Sequence, residues 1–524
     1  MSDPFNACVH LLDRHIEKGD GDRLALAGAA GELTYTQLHD RVRRTAAGLR
    51  AIGLLPEQRV LMFMADSPDF VTVFLAALRI GAIPVPVSTM LHADGLAELL
   101  RDSRARLLAV TSEYAAIATE AAAAAPELAG VVAGDGVAMT TPLPVHALAD
   151  LAGVEPDGEP HPTMADSPAF WLYTSGTTGT PKAAMHRHGS VRVVCETYGE
   201  QVLGIRPDDR CLSAAKAFFA YGLGNSLLFP LWAGAAVILE PAPSRPDLLA
   251  ERARTFGATL FFAGPTFFAN MLRAELPRQA LGGVRLSASA GEPLPAALYH
   301  RWTEHFGVDI LDGIGMTEML HIFLSNKEGS VRAGTTGVPV PGYELRILDE
   351  EGREVAPGTP GTLYVRGEST ATGYWSRYAA SRQVFQGEWL CTGDTYVRDA
   401  DGYYVCQGRT GDMLKAGGMW VAPAEVETRL LAHPAVAQAV VVAAIDTDGL
   451  EKPVAYVVTG VGAEVTEAQL IEFCRAGLPS FKRPRRVVFV DAMPTTPTGK
   501  VRRVELRAHA TGTLSGPQEE AALS

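Results

Sequence analysis

Residues 173–182 read Tyr-Thr-Ser-Gly-Thr-Thr-Gly-Thr-Pro-Lys and directly follow an apolar run at 170–173. Glycines permit tight turns that expose backbone N–H groups, hydroxyls add further donors, and Lys182 adds a positive charge. Such a loop grips phosphate oxygens. The pattern is not the GxxxxGK[ST] loop of the common nucleotide-binding proteins, and alone it reads equally as a Ser/Thr/Gly surface loop. Three further segments carry chemistry. At 312–318, Asp-Gly-Ile-Gly-Met-Thr-Glu closes a glycine run on a Thr–Glu pair, and a carboxylate there suits a hard cation such as Mg²⁺, which often takes only one or two protein ligands. At 391–394, Cys-Thr-Gly-Asp places an acid after a tight turn, where it can accept from ribose hydroxyls or merely shape the turn. At 494–500, Pro-Thr-Thr-Pro-Thr-Gly-Lys puts Lys500 at the tip of a stiffened loop; an isolated lysine is ordinarily a solvated one.

The elements that must position these residues alternate. Helical periodicity at 7–18 and 34–53 is followed by short apolar runs at 59–64, 83–87, 107–111, 236–239, 259–263 and 284–288, with a helix at 70–80. Alternation of this kind predicts α/β sheets covered by helices. From about Gly334 the texture changes to short strands between Gly and Pro turns, at 344–348, 361–365 and 403–406, which predicts a β-rich subdomain. After Gly408-Arg409-Thr410-Gly411-Asp412 a new α+β unit begins, with helices at 423–431 and 466–476 and strands at 436–444, 454–459 and 486–489. The Ala-rich segment 115–125 is a good helix former. The expected organisation is α/β: residues 1–410 as a large N-terminal domain of two α/β sheet subdomains plus the β-rich one, 411–510 as a small mobile α+β C-terminal domain, and 511–524 as a loose tail.

Composition limits the function. At 524 residues the chain exceeds one ordinary core, with 47% hydrophobic and 20% charged residues, proportions ordinary for a globular protein. A net charge of −13 argues against a nucleic-acid partner. No stretch reaches the roughly 20 apolar residues of a membrane span. The N-terminal segment has acidic and polar residues where a signal peptide is basic and then apolar, and the six scattered cysteines include no CxxC pair. Together these predict a cytoplasmic protein with reduced thiols.

In this order and spacing, the segments resemble the core motifs of the adenylate-forming superfamily of acyl-CoA synthetases, peptide-synthetase adenylation domains and luciferases, over nearly the whole chain from about Leu33 to Arg503. The segments 216–225 (Lys-Ala-Phe-Phe-Ala-Tyr-Gly-Leu-Gly-Asn) and 318–326 (Glu-Met-Leu-His-Ile-Phe-Leu-Ser-Asn) are most similar to the acid-pocket segments of benzoate and hydroxybenzoate CoA ligases. The resemblance implies an ATP-dependent aryl-acid:CoA ligase. A benzoate-type acid (benzoate, salicylate, another hydroxybenzoate or an aminobenzoate) would become an acyl-AMP with release of pyrophosphate, and then a CoA thioester. It implies that Thr174, Ser175, Thr177, Thr178 and Lys182 hold the β- and γ-phosphates. Gly291, Glu292, Pro293, Asp312, Gly313 and Ile314 line the adenine pocket, Thr317 meets the α-phosphate, Glu318 holds Mg²⁺, and Asp394 and Arg409 bind ribose. Lys500 reaches the carboxylate and α-phosphate oxygens. Phe219, Ala220, Tyr221, Gly315, His321 and Ile322 form the acid pocket, with Ala220 and Gly222 making room for a ring. His321 either bonds a ring substituent or donates to a backbone carbonyl.

For the second half-reaction the family rotates its C-terminal domain to admit the CoA thiol. The segment 414–421 resembles the face that then lines the channel, through Gly417, Gly418 and Trp420. The hinge departs from the family: the position after Arg409-Thr410 is usually Asp or Lys and here is Gly411. The basic cluster at 482–486 is either a solvated face or a grip for CoA phosphates. Within the same fold, an adenylation enzyme loading a carrier protein's phosphopantetheine is the alternative, against which stands the lack of a carrier segment after residue 510; a catalytically dead ligand-binding relative is the alternative outside it. ATP, Mg²⁺ and CoA are the implied small-molecule partners, and a homodimer is common among similar enzymes.

Overall fold

The computed structural model describes residues 4–134, 136–156, 158–175, 181–416, 419–445, 451–460, 462–495 and 501–513. Its first long helix, Tyr35–Ala51, shows why the sequence folds locally as it does. Thr34 accepts from the Gln37 backbone while the Gln37 side chain reaches back to the Thr34 N–H, satisfying two of the helix's orphan donors. Leu38, Val42, Thr45, Ala46 and Leu49 then bury one stripe. The helix Pro68–Arg79 begins after the Ser67 cap and is buried on nearly every side, the mark of a helix in the middle of a domain. The periodicity at 7–18 is divided into a π-helical turn, Val9–Asp13, and one α-turn, Arg14–Glu17.

Two sheets carry the N-terminal domain. The larger has nine strands, and its centre is parallel: Leu24–Gly28, Ala236–Leu239, Arg210–Ser213, Leu260–Ala263, Leu286–Ser289 and Ile310–Gly315 lie side by side. Antiparallel strands finish both edges. The second sheet has five parallel strands, with Ile83–Pro86, Arg59–Phe63, Leu107–Val110 and Gly130–Ala133 in that order and Val145–Ala147 outermost. A continuous core that includes Phe74, Phe170, Tyr198 and Leu311 joins them. The strand expected at 284–288 starts two residues later, because the Val284 N–H closes a turn on the Leu281 carbonyl.

The β-rich subdomain is built from Glu344–Leu348, Gly361–Arg366 and Trp389–Arg398, with Tyr404–Arg409 pairing along the last of these. The smaller C-terminal domain packs helices Pro423–Leu431, Glu467–Arg475 and Arg503–Thr513 against strands Val436–Ile445, Glu451–Thr459 and Arg486–Phe489. Its apolar residues form clusters on both faces of that sheet. The tail expected from 511 is still helical as far as Thr513.

Candidate active site

The expected phosphate loop is bounded by two antiparallel strands, and residues 176–180 between them lie outside the described residues. Strand Pro168–Ser175 pairs with Pro181–Arg187, and the register sets Thr174 opposite Lys182. Thr177 and Thr178 lie outside the described residues, as does the side chain of Ser175. The Lys182 ammonium sits 5.6 Å from the centre of the Tyr374 ring, a cation–π distance. The Tyr374 hydroxyl in turn donates to Glu318, and burial beside that carboxylate pushes its pKa well above the usual tyrosine range. One tyrosine therefore joins the phosphate hairpin to Glu318.

Thr317 and Glu318 begin a single 3₁₀ turn, Thr317–Met319, fixed from two sides. His186 Nε2 lies 2.8 Å from the Thr317 carbonyl, and the Ala371 N–H donates to the Glu318 carbonyl at 2.8 Å. Burial lowers the His186 pKa to about 4, so the ring is neutral, Nε2 carries the proton, and it donates to that carbonyl. After this turn Leu320 is held at a φ of 67°, a strained position for a leucine and one typical of functional sites. Glu318 is buried and has no ion-pair partner among the described residues. With one oxygen taken by Tyr374, the other is left for a cation, which fits Mg²⁺ completed by phosphate oxygens and water. No group of three or more potential ligands forms a protein cage among the described residues.

Asp312, Gly313 and Ile314 lie on Ile310–Gly315, close to the segment 291–293. Asp312 is fully buried, and desolvation raises its carboxyl to about 8; its side chain is a neutral prop for the Leu294 N–H, not an exposed acid. Gly291 has a φ of 95°, which suits glycine, and Glu292 accepts from the Thr266 hydroxyl. Asp394 and Arg409 are register partners in neighbouring strands, with a 3.1 Å ion pair between them. Arg409 also donates to the Thr392 carbonyl at 3.0 Å.

The expected acid pocket is assembled from two segments. Phe219 precedes the short helix Ala220–Leu223, and the Ala217 N–H is held by the buried Asp66 carboxylate at 3.1 Å. Tyr221 donates through its hydroxyl to the Ala288 carbonyl at 2.8 Å. His321 Nε2 lies 3.2 Å from the Tyr221 carbonyl, while Nδ1 is buried without a partner. Its ring is caged by Tyr198, Tyr221 and Phe229 at 5.3, 5.4 and 4.6 Å, and burial lowers its pKa to about 3. Gly315 faces Ile322 in the strand pair, and a Cβ there would fall 2.6 Å from the His321 carbonyl oxygen. Gly222 has a different role from the one its small size suggests: a Cβ would fall 2.0 Å from the Lys216 carbonyl oxygen, so it permits the turn and does not widen the pocket.

Lys500, Gly417 and Gly418 lie outside the described residues, and of Trp420 only the backbone strand is described. The basic cluster is largely committed to its own domain. Lys482 pairs with Glu425 at 2.5 Å, Arg486 with Glu467 at 2.9 Å, and Arg483 donates to the Leu478 carbonyl. Three residues that the motifs did not flag prove structural to the site: Tyr374, His186 and Asp66. The only sequence trace of Tyr374 is a Gly-Tyr-Trp triplet after a hydroxyl-rich run; His186 and Asp66 read as ordinary inward residues.

Residues 12–375 match the AMP-binding enzyme family and residues 425–500 its C-terminal domain. The chain is 41% identical to a 4-hydroxybenzoate–CoA/benzoate–CoA ligase of Rhodopseudomonas palustris, covering 99% of this chain and 97% of that protein. Among solved structures, the anthranilate CoA ligase AuaEII in complex with anthranoyl-AMP superposes with a TM-score of 0.93 at 36% identity, covering 98% of each chain. A benzoate CoA ligase from Burkholderia xenovorans LB400 gives 0.88 at 38% identity, covering 96% of this chain and 100% of that one. With both parts of the family model matched in order, and relatives similar over nearly their whole length, this chain belongs to the AMP-binding enzyme family.

Proposed function

We propose that the protein is an ATP-dependent aryl-acid:CoA ligase acting on a benzoate-type acid: benzoate, salicylate, another hydroxybenzoate or an aminobenzoate. The observation that carries the reading is the junction at Tyr374, where Lys182 of the phosphate hairpin and Glu318 meet on one side chain. Near identity of architecture to benzoate and anthranilate CoA ligases supports the substrate class, as does the aromatic cage around His321.

In this reading the acid's carboxylate attacks the α-phosphorus of ATP, the bond to pyrophosphate breaks, and an acyl-adenylate forms. The thiol of CoA then attacks the acyl carbon and AMP leaves. Both reactants of the first step are anions, so the residues' task is to orient them and neutralise charge. Lys182 and the hairpin hydroxyls orient the departing pyrophosphate, Asp394 and Arg409 fix the ribose, and Lys500 meets the oxygens between which charge develops. Bound Mg²⁺, held by Glu318, would add further neutralisation. The domain boundary lies at Gly411, with Gly417, Gly418 and Trp420 bordering the thiol's path. A cytoplasmic location is supported by the six unpaired cysteines.

The test is pyrophosphate exchange against a panel of substituted benzoates, followed by product release with free CoA or with a phosphopantetheinyl carrier protein. Exchange dependent on an aryl acid, with a CoA thioester as product, is expected. Exchange that no benzoate supports would refute the substrate class, and product formed only on the carrier would refute CoA as acceptor.

A further inference from the structure

At the base of the phosphate hairpin, away from its tip, a cleft of about 400 Å³ opens between the hairpin, the β-rich subdomain and the start of strand Arg59–Phe63. Its walls include Arg59, Ile83, Trp171, Met185, His186 and Trp375. None of the residues assigned above to ATP, acid or CoA lies in it.

Three features give the cleft the chemistry of a binding site. Trp171 and Trp375 form an aromatic pair with ring centres 4.8 Å apart. The Arg59 guanidinium lies 5.5 and 5.7 Å from those two ring centres, and that of Arg104 lies 5.9 Å from Trp375. Arg59 spends its bonds on the Ser103, Arg104 and Glu57 carbonyls at 2.8, 3.0 and 3.3 Å. These position the charge, and neither arginine has a carboxylate within ion-pair distance among the described residues, Glu127 acting on Arg59 only from farther away. The other cation in the wall, Arg187, is already matched by Asp166 at 2.5 Å; Glu57 stands exposed at the rim.

The third feature is a pair of orphaned ring nitrogens. Trp171 Nε1 and His186 Nδ1 have no hydrogen-bond partner, although Trp171 is only 3% and His186 only 1% exposed. Because His186 donates through Nε2 to Thr317, its Nδ1 is an acceptor, while Trp171 Nε1 is a donor. Buried polar atoms are nearly always paired, and leaving them unpaired costs stability.

We propose that this cleft is a second small-molecule site, distinct from the catalytic one, for a planar aromatic carboxylate. The ring packs on the Trp171–Trp375 pair, and the carboxylate is drawn to Arg59 in the wall. The volume suits a one- or two-ring acid. The site lies on the hairpin that carries Lys182 and touches the histidine that holds Thr317, so its occupant is placed to bear on the phosphate grip.

The experiment uses the full-length protein with its catalytic site saturated by a benzoyl-sulfamoyl adenosine mimic of the acyl-adenylate, titrated with benzoate by calorimetry. One further equivalent of benzoate is expected. It should bind at least tenfold more weakly to Arg59→Gln and be lost in Thr372→Trp, which fills the cleft from an exposed position on its wall. A saturated protein that takes up no benzoate overturns the proposal, as does an extra equivalent that both substitutions leave unchanged, or a cleft that takes ATP in preference. Should Arg59→Gln fail to fold, Trp375→Leu replaces it with the same expectation. Should the mimic itself not bind, the aryl-adenylate reading fails. Benzoate titrated onto the unliganded protein, with and without Thr372→Trp, then decides the cleft alone.

Discussion

Two lysines near phosphate have different expected parts, and substitution separates them. Lys500→Ala should reduce acid-dependent pyrophosphate exchange by about 10²–10³, the usual cost of removing one transition-state charge stabiliser, while ATP binding stays close to normal. Unchanged exchange would remove Lys500 from the site. Tyr374 offers a finer test. Tyr374→Phe keeps the ring under Lys182 and deletes only the donor to Glu318. Exchange should fall roughly tenfold, on the scale of one hydrogen bond to a charged group, and Tyr374→Leu, which also removes the ring, should fall further. Equal loss in both would mean that the hydroxyl alone matters. Residue types with unusual chemistry were legible from sequence: Glu318 and Lys182 stood out by pattern. Tyr374 did not, because its role comes from being packed between them, 56 positions beyond Glu318 in the chain.

At the scale of elements, the sequence revealed most where local chemistry decides. The helix Pro423–Leu431 and the strands Ala236–Leu239 and Glu344–Leu348 fall on the expected residues, because turns and apolar runs bound them. The strand expected at 403–406 extends to Arg409, since pairing with its neighbour, a tertiary contact, carries it past its apolar run and brings Arg409 opposite Asp394. The proposed hinge at Gly411 shows a similar limit. Gly411 is not in the left-handed region, and an added Cβ would meet nothing within 4 Å, so no steric need for glycine exists in this conformation. Its neighbours are anchored on opposite sides: Thr410 bonds Thr395 at 3.3 Å, while Asp412 accepts from Arg507 at 2.8 Å in the C-terminal helix. A pivot bracketed in this way predicts that Gly411→Ala is tolerated. Gly411→Pro, which fixes φ, should spare pyrophosphate exchange and slow thioester formation. Measuring the two half-reactions separately checks this, and equal slowing would refute the hinge.

For the whole molecule, the buried titratable groups set a pH optimum of stability. Burial holds His15, His186 and His188 at about 4 and His321 at about 3, below their ordinary 6.5. Groups depressed in this way contribute stability that is present above pH 6.5 and lost as the pH falls through 4. Asp66 and Asp312 act oppositely. Desolvation raises them from 3.8 to about 6 and about 8, so their contribution is present below pH 3.8 and lost as the pH rises through those values. Between pH 8 and about 7 Asp312 dominates, and acidification stabilises by at most about 1.4 kcal/mol per pH unit. Below about pH 7 the unfolded chain gains protons on five histidines that burial depresses, His10 included, while the native state gains them on two carboxyls at most, so acidification destabilises. Stability should therefore peak near pH 7. Asp312→Asn, which mimics the protonated carboxyl, should flatten the alkaline limb and leave the acid limb in place. Urea unfolding of both proteins from pH 4.5 to 8.5 reads this out. A wild-type curve still rising at pH 8, or an alkaline limb unchanged in Asp312→Asn, would show that the carboxyl is ionised in the folded protein and that the adenine-side wall contains a buried negative charge.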